Sequence, residues 1–199
     1  MTRKLPILVL LAIALAACNA ERPADNAQAP ATPPVADQPA QDVPPATAPA
    51  TGPARFDGYG DMRFGMTYAE VKKAWGGELN GKPGAGEICY YLTPKWVKTP
   101  AEFAFMIESG KFVRYDVGND KEVAPGGGKR SMSADEVRKL YPGRIVEQPH
   151  KYVEGGKVLR IKADDGSGGV LMFETDAAGK VTEWRVGQPP QVDYVEGCS

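Results

Sequence analysis

Apolar positions follow different rhythms along this chain, and each predicts a different kind of segment. Ile7 through Leu15 is an unbroken apolar run behind Arg3 and Lys4, about half of the roughly 20 residues a bilayer-crossing helix needs. With Leu15-Ala16-Ala17-Cys18 at its end, the run reads as a secretion signal over 1–17, cut before a cysteine that has received lipid. From Asn19 to Pro53 the rhythm vanishes. Ala, Pro, Gln and Asp dominate, 9 of the 18 prolines fall here and no aromatic residue does, so the segment cannot bury enough apolar surface to offset its ordering entropy. Residues 18–53 therefore read as a lipidated Cys18 followed by a disordered, partly polyproline tether.

Helical and strand rhythms begin at Ala54, and they recur. Gly65-Met66-Thr67-Tyr68-Ala69-Glu70-Val71-Lys72-Lys73-Ala74-Trp75 matches Ser131-Met132-Ser133-Ala134-Asp135-Glu136-Val137-Arg138-Lys139-Leu140-Tyr141 at an offset of 66 residues, and such self-similarity precedes any fold assignment. Thr67 with Glu70, and Ser133 with Glu136, have the spacing of the capping box that starts a helix. Val71, Ala74 and Trp75, like Val137, Leu140 and Tyr141, then lie at i, i+3 and i+4 on one apolar face. Each helix is expected to stop at glycine or proline, Gly76-Gly77 in the first copy and Pro142-Gly143 in the second.

The next matching blocks, Phe105–Val117 and Leu171–Val186, read as β-hairpins turning at Gly110 and Gly179. In their outgoing strands, alternation puts Val113, Tyr115 and Val117 on one face and Phe112, Arg114 and Asp116 on the other. Thr182, Trp184 and Val186 likewise oppose Val181, Glu183 and Arg185. Glu87–Leu92 and Tyr152–Ile161 are plausible further strands. The expected fold class is α+β: two tandem helix-plus-antiparallel-sheet modules, 54–123 and 124–199, after the tether.

Composition narrows the partners. The folded part holds 21 Lys plus Arg against 21 Asp plus Glu, and a balanced surface without a basic run argues against nucleic acid. Asn19 follows Cys18, where lipoproteins kept at the inner membrane usually carry Asp, so the expected location is the outer membrane, facing the periplasm. In that oxidising compartment Cys89 and Cys198 are the two remaining thiols, and a disulfide between them is the simplest outcome, with two buried free thiols the alternative.

The signature Gly60-Asp61-Met62-Arg63-Phe64-Gly65-Met66-Thr67, followed by Glu70-Val71, resembles the opening of the superfamily that includes β-lactamase inhibitory protein and the small outer-membrane assembly lipoproteins. The resemblance covers roughly Asp57 to Gly187. It implies tandem modules forming a concave sheet that grips a partner protein. The second copy departs from the motif by carrying Ser131 where Gly should stand, and nothing matches the inhibitor's binding loops. The tail Tyr194-Val195-Glu196-Gly197-Cys198-Ser199 is similar to that of proteobacterial lipoproteins labelled lectin.

Catalytic chemistry finds little purchase. His150, the sole histidine, sits in the polar sequence Gln148-Pro149-His150-Lys151 and reads as a solvated loop residue. The glycine runs 126–128 and 166–169 lack the Lys-Ser/Thr of a phosphate loop, and Asp164-Asp165-Gly166 lacks the closing Glu of a calcium loop. The expectation is a non-enzymatic protein with no cofactor and no metal. Binding is better supported. Thr93-Pro94-Lys95-Trp96-Val97-Lys98-Thr99-Pro100 puts Trp96 in a proline-bracketed loop with Lys95 and Lys98, a composition enriched at interfaces, though Trp96 could equally fold back as a core plug. Trp75, Tyr115 and Trp184 read as core. Arg114, Asp116, Glu183 and Arg185 complete the candidate surface, for an envelope protein or, alternatively, a saccharide.

Overall fold

The computed structural model describes residues 52–198; the signal, Cys18 and the tether as far as Thr51 lie outside the described residues. The chain opens with a small antiparallel sheet, β1 (Ala54–Arg55), β2 (Gly58–Tyr59) and β3 (Met62–Arg63). Helix α1 (Tyr68–Trp75) follows, then β4 (Leu79–Asn80), β5 (Cys89–Pro94), β6 (Phe103–Glu108) and β7 (Lys111–Val117). Helix α2 (Ala134–Leu140) precedes β8 (Ile145–Pro149), β9 (Lys157–Lys162), β10 (Val170–Thr175) and β11 (Val181–Gly187). A single 3-10 turn, Gln191–Asp193, lies in the C-terminal segment. No helix among the described residues is long and apolar enough to cross a membrane.

Both capping boxes form. Thr67 Oγ1 accepts from Glu70 N at 3.3 Å while Thr67 N donates to Glu70 Oε2 at 2.7 Å, and Ser133 with Glu136 repeats the pair at 3.2 and 2.7 Å. The helices are nonetheless only 8 and 7 residues long, because Gly76 takes the left-handed conformation at φ 71° and Tyr141 leaves helical geometry before Pro142.

The expected α+β pair of helix-plus-sheet modules is not what forms. The protein is mostly β: eight strands make one antiparallel sheet in the order β4-β5-β6-β7-β11-β10-β9-β8. The joint is β7 against β11, with Trp184 opposite Val117, Arg185 opposite Asp116 and Val186 opposite Tyr115. Pairing these two strands removes two open sheet edges, which would otherwise be liabilities. The helices contribute two turns each to the cover of one continuous sheet.

The repeat survives in detail. Gly65 N donates to Phe112 O and Phe112 N to Met66 O; Ser131 N donates to Val181 O and Val181 N to Met132 O, all at 2.8 to 2.9 Å. Ser131 therefore sits in Gly65's place, at φ 71° against 89°, a region that costs a non-glycine residue about 1 kcal/mol or more.

The main core lies between the sheet's inner face and α1, α2 and the small sheet. Val71 and Val137 from the helices and Tyr59 and Met62 from the small sheet meet Leu92, Phe105, Tyr115, Phe173 and Trp184. Two β-bulges correct the expected faces. One lies opposite Val113 between Met106 and Ile107, the other between Glu174 and Thr175. An extra residue at each shifts the alternation, so Phe112 and Val181 are buried in the core with Tyr115, Val117, Trp184 and Val186.

Candidate functional site

The Trp96 loop stands at one end of the sheet, between β5 and β6. Val97, whose N–H donates to Pro94 O at 3.1 Å, is the loop's buried plug. Trp96 is left 64% exposed. Its ring stacks on Trp75 at 5.6 Å between centroids and 29° between planes, and Trp75 in turn meets the buried Phe105 edge-on at 5.3 Å. An exposed indole is thus braced through a half-buried one onto the core. Lys95 is exposed, 3.8 Å from Glu78 Oε2, and Lys98 is exposed on the same loop.

Of the other expected binding residues, Arg114, Asp116 and Arg185 are far less open. Arg114 and Arg185 lie on the outer face of the sheet, where pleating puts Tyr91, Met106, Asp116 and Met172 beside them. Both guanidinium groups are buried, at 4% and 3% exposure. The C-terminal segment covers them. Arg114 holds Asp116 at 2.7 Å and donates to Gln191 O at 3.0 Å and Tyr194 O at 2.6 Å. Arg185 Nε donates to Val192 O at 2.8 Å, and its other arm holds Glu174. Val192 packs on Val170 and Met172. Gln191 reaches Glu108, Asp193 reaches Arg160, and Glu196 meets Tyr152 and Lys151. The segment ends in the Cys89–Cys198 disulfide.

Arg114 and Arg185 are therefore corrected from a solvated partner surface to the floor of an occupied groove. Alternation identified the face and could not reveal its cover. Asp116 is half-buried against Arg114, and Glu183 is exposed at the rim of a cleft of about 230 Å³ that Tyr91, Asp116 and Glu196 also line. The protein around Glu183, and then the nearby Glu174 carboxylate, holds its carboxyl above the ordinary range. Burial pushes the Tyr91 phenol up to about 12.

The expectation of a solvated His150 is also overturned. Its Nε2 lies 2.8 Å from Glu174 Oε2, and its Nδ1 accepts from the Tyr152 and Val153 N–H groups at 3.0 and 3.2 Å. Two donors on Nδ1 assign the proton to Nε2, which donates to the carboxylate. His150, Glu174 and Arg185 form one chain of contacts from the 150–156 turn through β10 and β11 to Val192 of the C-terminal segment. Sequence reasoning missed it. The available signal was Cys198, one residue from the chain end, whose pairing with Cys89 requires residues 188–197 to return across the sheet.

No family model matches the sequence, and no curated protein matches it. Among solved structures, an extracellular protein containing a SCP domain, from Bacillus anthracis str. Ames, is similar with a TM-score of 0.37 and 13% identity, over 63% of this chain. The chain spans 44% of that protein's length. Neither fold nor activity transfers at that level.

Proposed function

We propose that this protein is a non-catalytic binding module of the bacterial cell envelope, held by lipid on Cys18 and facing the periplasm, that recognises an envelope protein through the Trp96 loop. The observation that carries the reading is Trp96 itself, 64% exposed yet braced on Trp75. A rigid aromatic ring loses little conformational entropy on binding, and such anchors dominate interface energies. Lys95 and Lys98 beside it favour a partner with acidic groups near its contact patch. A saccharide is the second reading, favoured by the single open indole face, which matches a sugar ring.

A photo-crosslinking residue in place of Lys98, used in growing cells, tests the first reading. A crosslinked protein band that Trp96→Ala abolishes is the expected result. Quenching of indole fluorescence by soluble glycan fragments, without any crosslinked band, would move the assignment to saccharide, and neither signal would defeat both. Trp96→Ala should weaken partner binding by about 2 kcal/mol, while stability falls only by the lost stack on Trp75, about 0.5 to 1.5 kcal/mol. Thermal unfolding beside a binding titration checks that split.

The anchor has its own test. Leu15-Ala16-Ala17-Cys18 supports lipidation, and stable anchoring takes more than one acyl chain. Cys18→Ser should move the chain from the membrane fraction to the soluble fraction; equal membrane recovery of variant and wild type would refute the anchor.

A further inference from the structure

The C-terminal segment lies in its groove as a bound peptide would. Its carbonyl oxygens at Gln191, Val192 and Tyr194 are held by buried guanidinium groups, its one buried apolar side chain is Val192, and its remaining contacts are polar. The groove is cut for this sequence: a Cβ at Gly197 would stand 2.3 Å from Tyr91 Oη. Apart from the disulfide, these carbonyl and other polar contacts and Val192 hold the segment, so with the bond reduced it stays in its groove on average while opening and reclosing locally. Its start, Pro189-Pro190, is exposed. Clefts lined by Cys198 on one side and by Cys89 and Cys198 on another give a thiolate access to the bond.

We propose that this groove is an interaction site for a second copy of the chain: once Cys89–Cys198 is reduced, it accepts the partner copy's residues 188–198, and reoxidation joins Cys89 of one copy to Cys198 of the other. An identical segment brings the same carbonyl oxygens, Val192 and Gly197 to the same groove, so exchange forms no new kind of contact. A dithiol reductant supplies two electrons and two protons, breaking the S–S bond into two thiols as it closes into its own ring disulfide. Glutathione disulfide takes the two electrons back on reoxidation, releasing two glutathione thiols for each bond formed.

Equal amounts of ¹⁴N- and ¹⁵N-labelled full-length chain carrying Cys18→Ser, which leaves two thiols, are reduced together with dithiothreitol in native buffer. They are reoxidised with glutathione disulfide over a series of protein concentrations, digested without reduction and read by mass spectrometry. The expected result is Cys89–Cys198 peptides with one light and one heavy half, their share rising with concentration towards random pairing. Val192→Asp, which puts a charge into the groove's apolar contact, should suppress these mixed pairs relative to wild type. Same-isotope pairs alone at every concentration would overturn the proposal. So would a predominance of Cys89–Cys89 and Cys198–Cys198 links, which report random collision, or mixed pairing that Val192→Asp leaves unchanged.

Discussion

Glu174→Ala should lower folding stability by about 3 to 5 kcal/mol, because it removes the carboxylate that pairs with a guanidinium already out of water. Arg185, 3% exposed, would keep Val192 O as its acceptor and lose its counter-charge, and His150 Nε2–H would lose its acceptor. The magnitude comes from breaking a pair rather than from the pair's net worth. Replacing Glu174 and Arg185 together with Leu and Met should therefore recover part of the loss. The pH dependence has a definite sign. Burial alone would raise the Glu174 carboxyl, but the charge and hydrogen bond of Arg185, then the contact with His150, outweigh it and hold it below its usual value of 4.5. A carboxylate lowered in the folded state contributes stability that is fully present above its unfolded pKa and is lost as pH falls through the folded one. Glu70, Glu136, Glu147 and Asp57 are lowered too, so the readout is the difference between wild type and variant. Urea titrations from pH 7 down should show that difference large at neutral pH and shrinking below about pH 4.5. A constant difference would mean that Glu174 acts through packing alone.

What was legible in the sequence was local. A capping box spans four residues and a hairpin turn about as many, so Thr67 with Glu70, Ser133 with Glu136 and the turns at Gly110 and Gly179 declare themselves without knowledge of the rest of the chain. Two kinds of information were not local. The bulges at Val113 and near Thr182 break the period of two, and their cause is the register of the neighbouring strand, so Phe112 and Val181 were assigned to the wrong face. The β7–β11 pairing joins segments far apart in sequence, and periodicity within each strand is the same whether two sheets stay apart or merge. The site divides along the same line. Trp96 was correctly placed in a loop, with Val97 taking the core position that composition alone could not deny to Trp96. Arg114 and Arg185 were assigned to the correct face and the wrong environment, because alternation gives direction and the cover arrives from residues 188–198. His150 is polar in a polar stretch, and only Glu174, 24 residues later, makes it part of the interior.

Removing the disulfide by Cys89→Ser with Cys198→Ser should cost about 4 to 5 kcal/mol on the chain-entropy account for a sequence separation of 109. Against the roughly 5 to 15 kcal/mol of an ordinary domain, that is about a quarter or more of the whole. The crosslink spans most of the described residues, so it restricts the larger part of the unfolded domain, whereas in the folded state it secures only the last few. Those few have a second tether, since Arg114 and Arg185 hold Gln191, Val192 and Tyr194 by their carbonyl oxygens. The loss should accordingly appear in global unfolding, with a lower urea midpoint and a larger slope from a more expanded unfolded state, while the groove contacts persist in the native state. Hydrogen exchange separates the two effects: the Val192 amide, which donates to Gln188 O at 3.0 Å, should stay protected relative to the chain end in the double variant. A loss under about 1 kcal/mol, with protection at Val192 gone, would instead mean that the disulfide secures the C-terminal segment and little else. Adding Arg114→Met to both backgrounds completes a double-mutant cycle. Its cost should be larger with the disulfide present, because the bond keeps the carbonyl oxygens of Gln191 and Tyr194 in place for the guanidinium to hold.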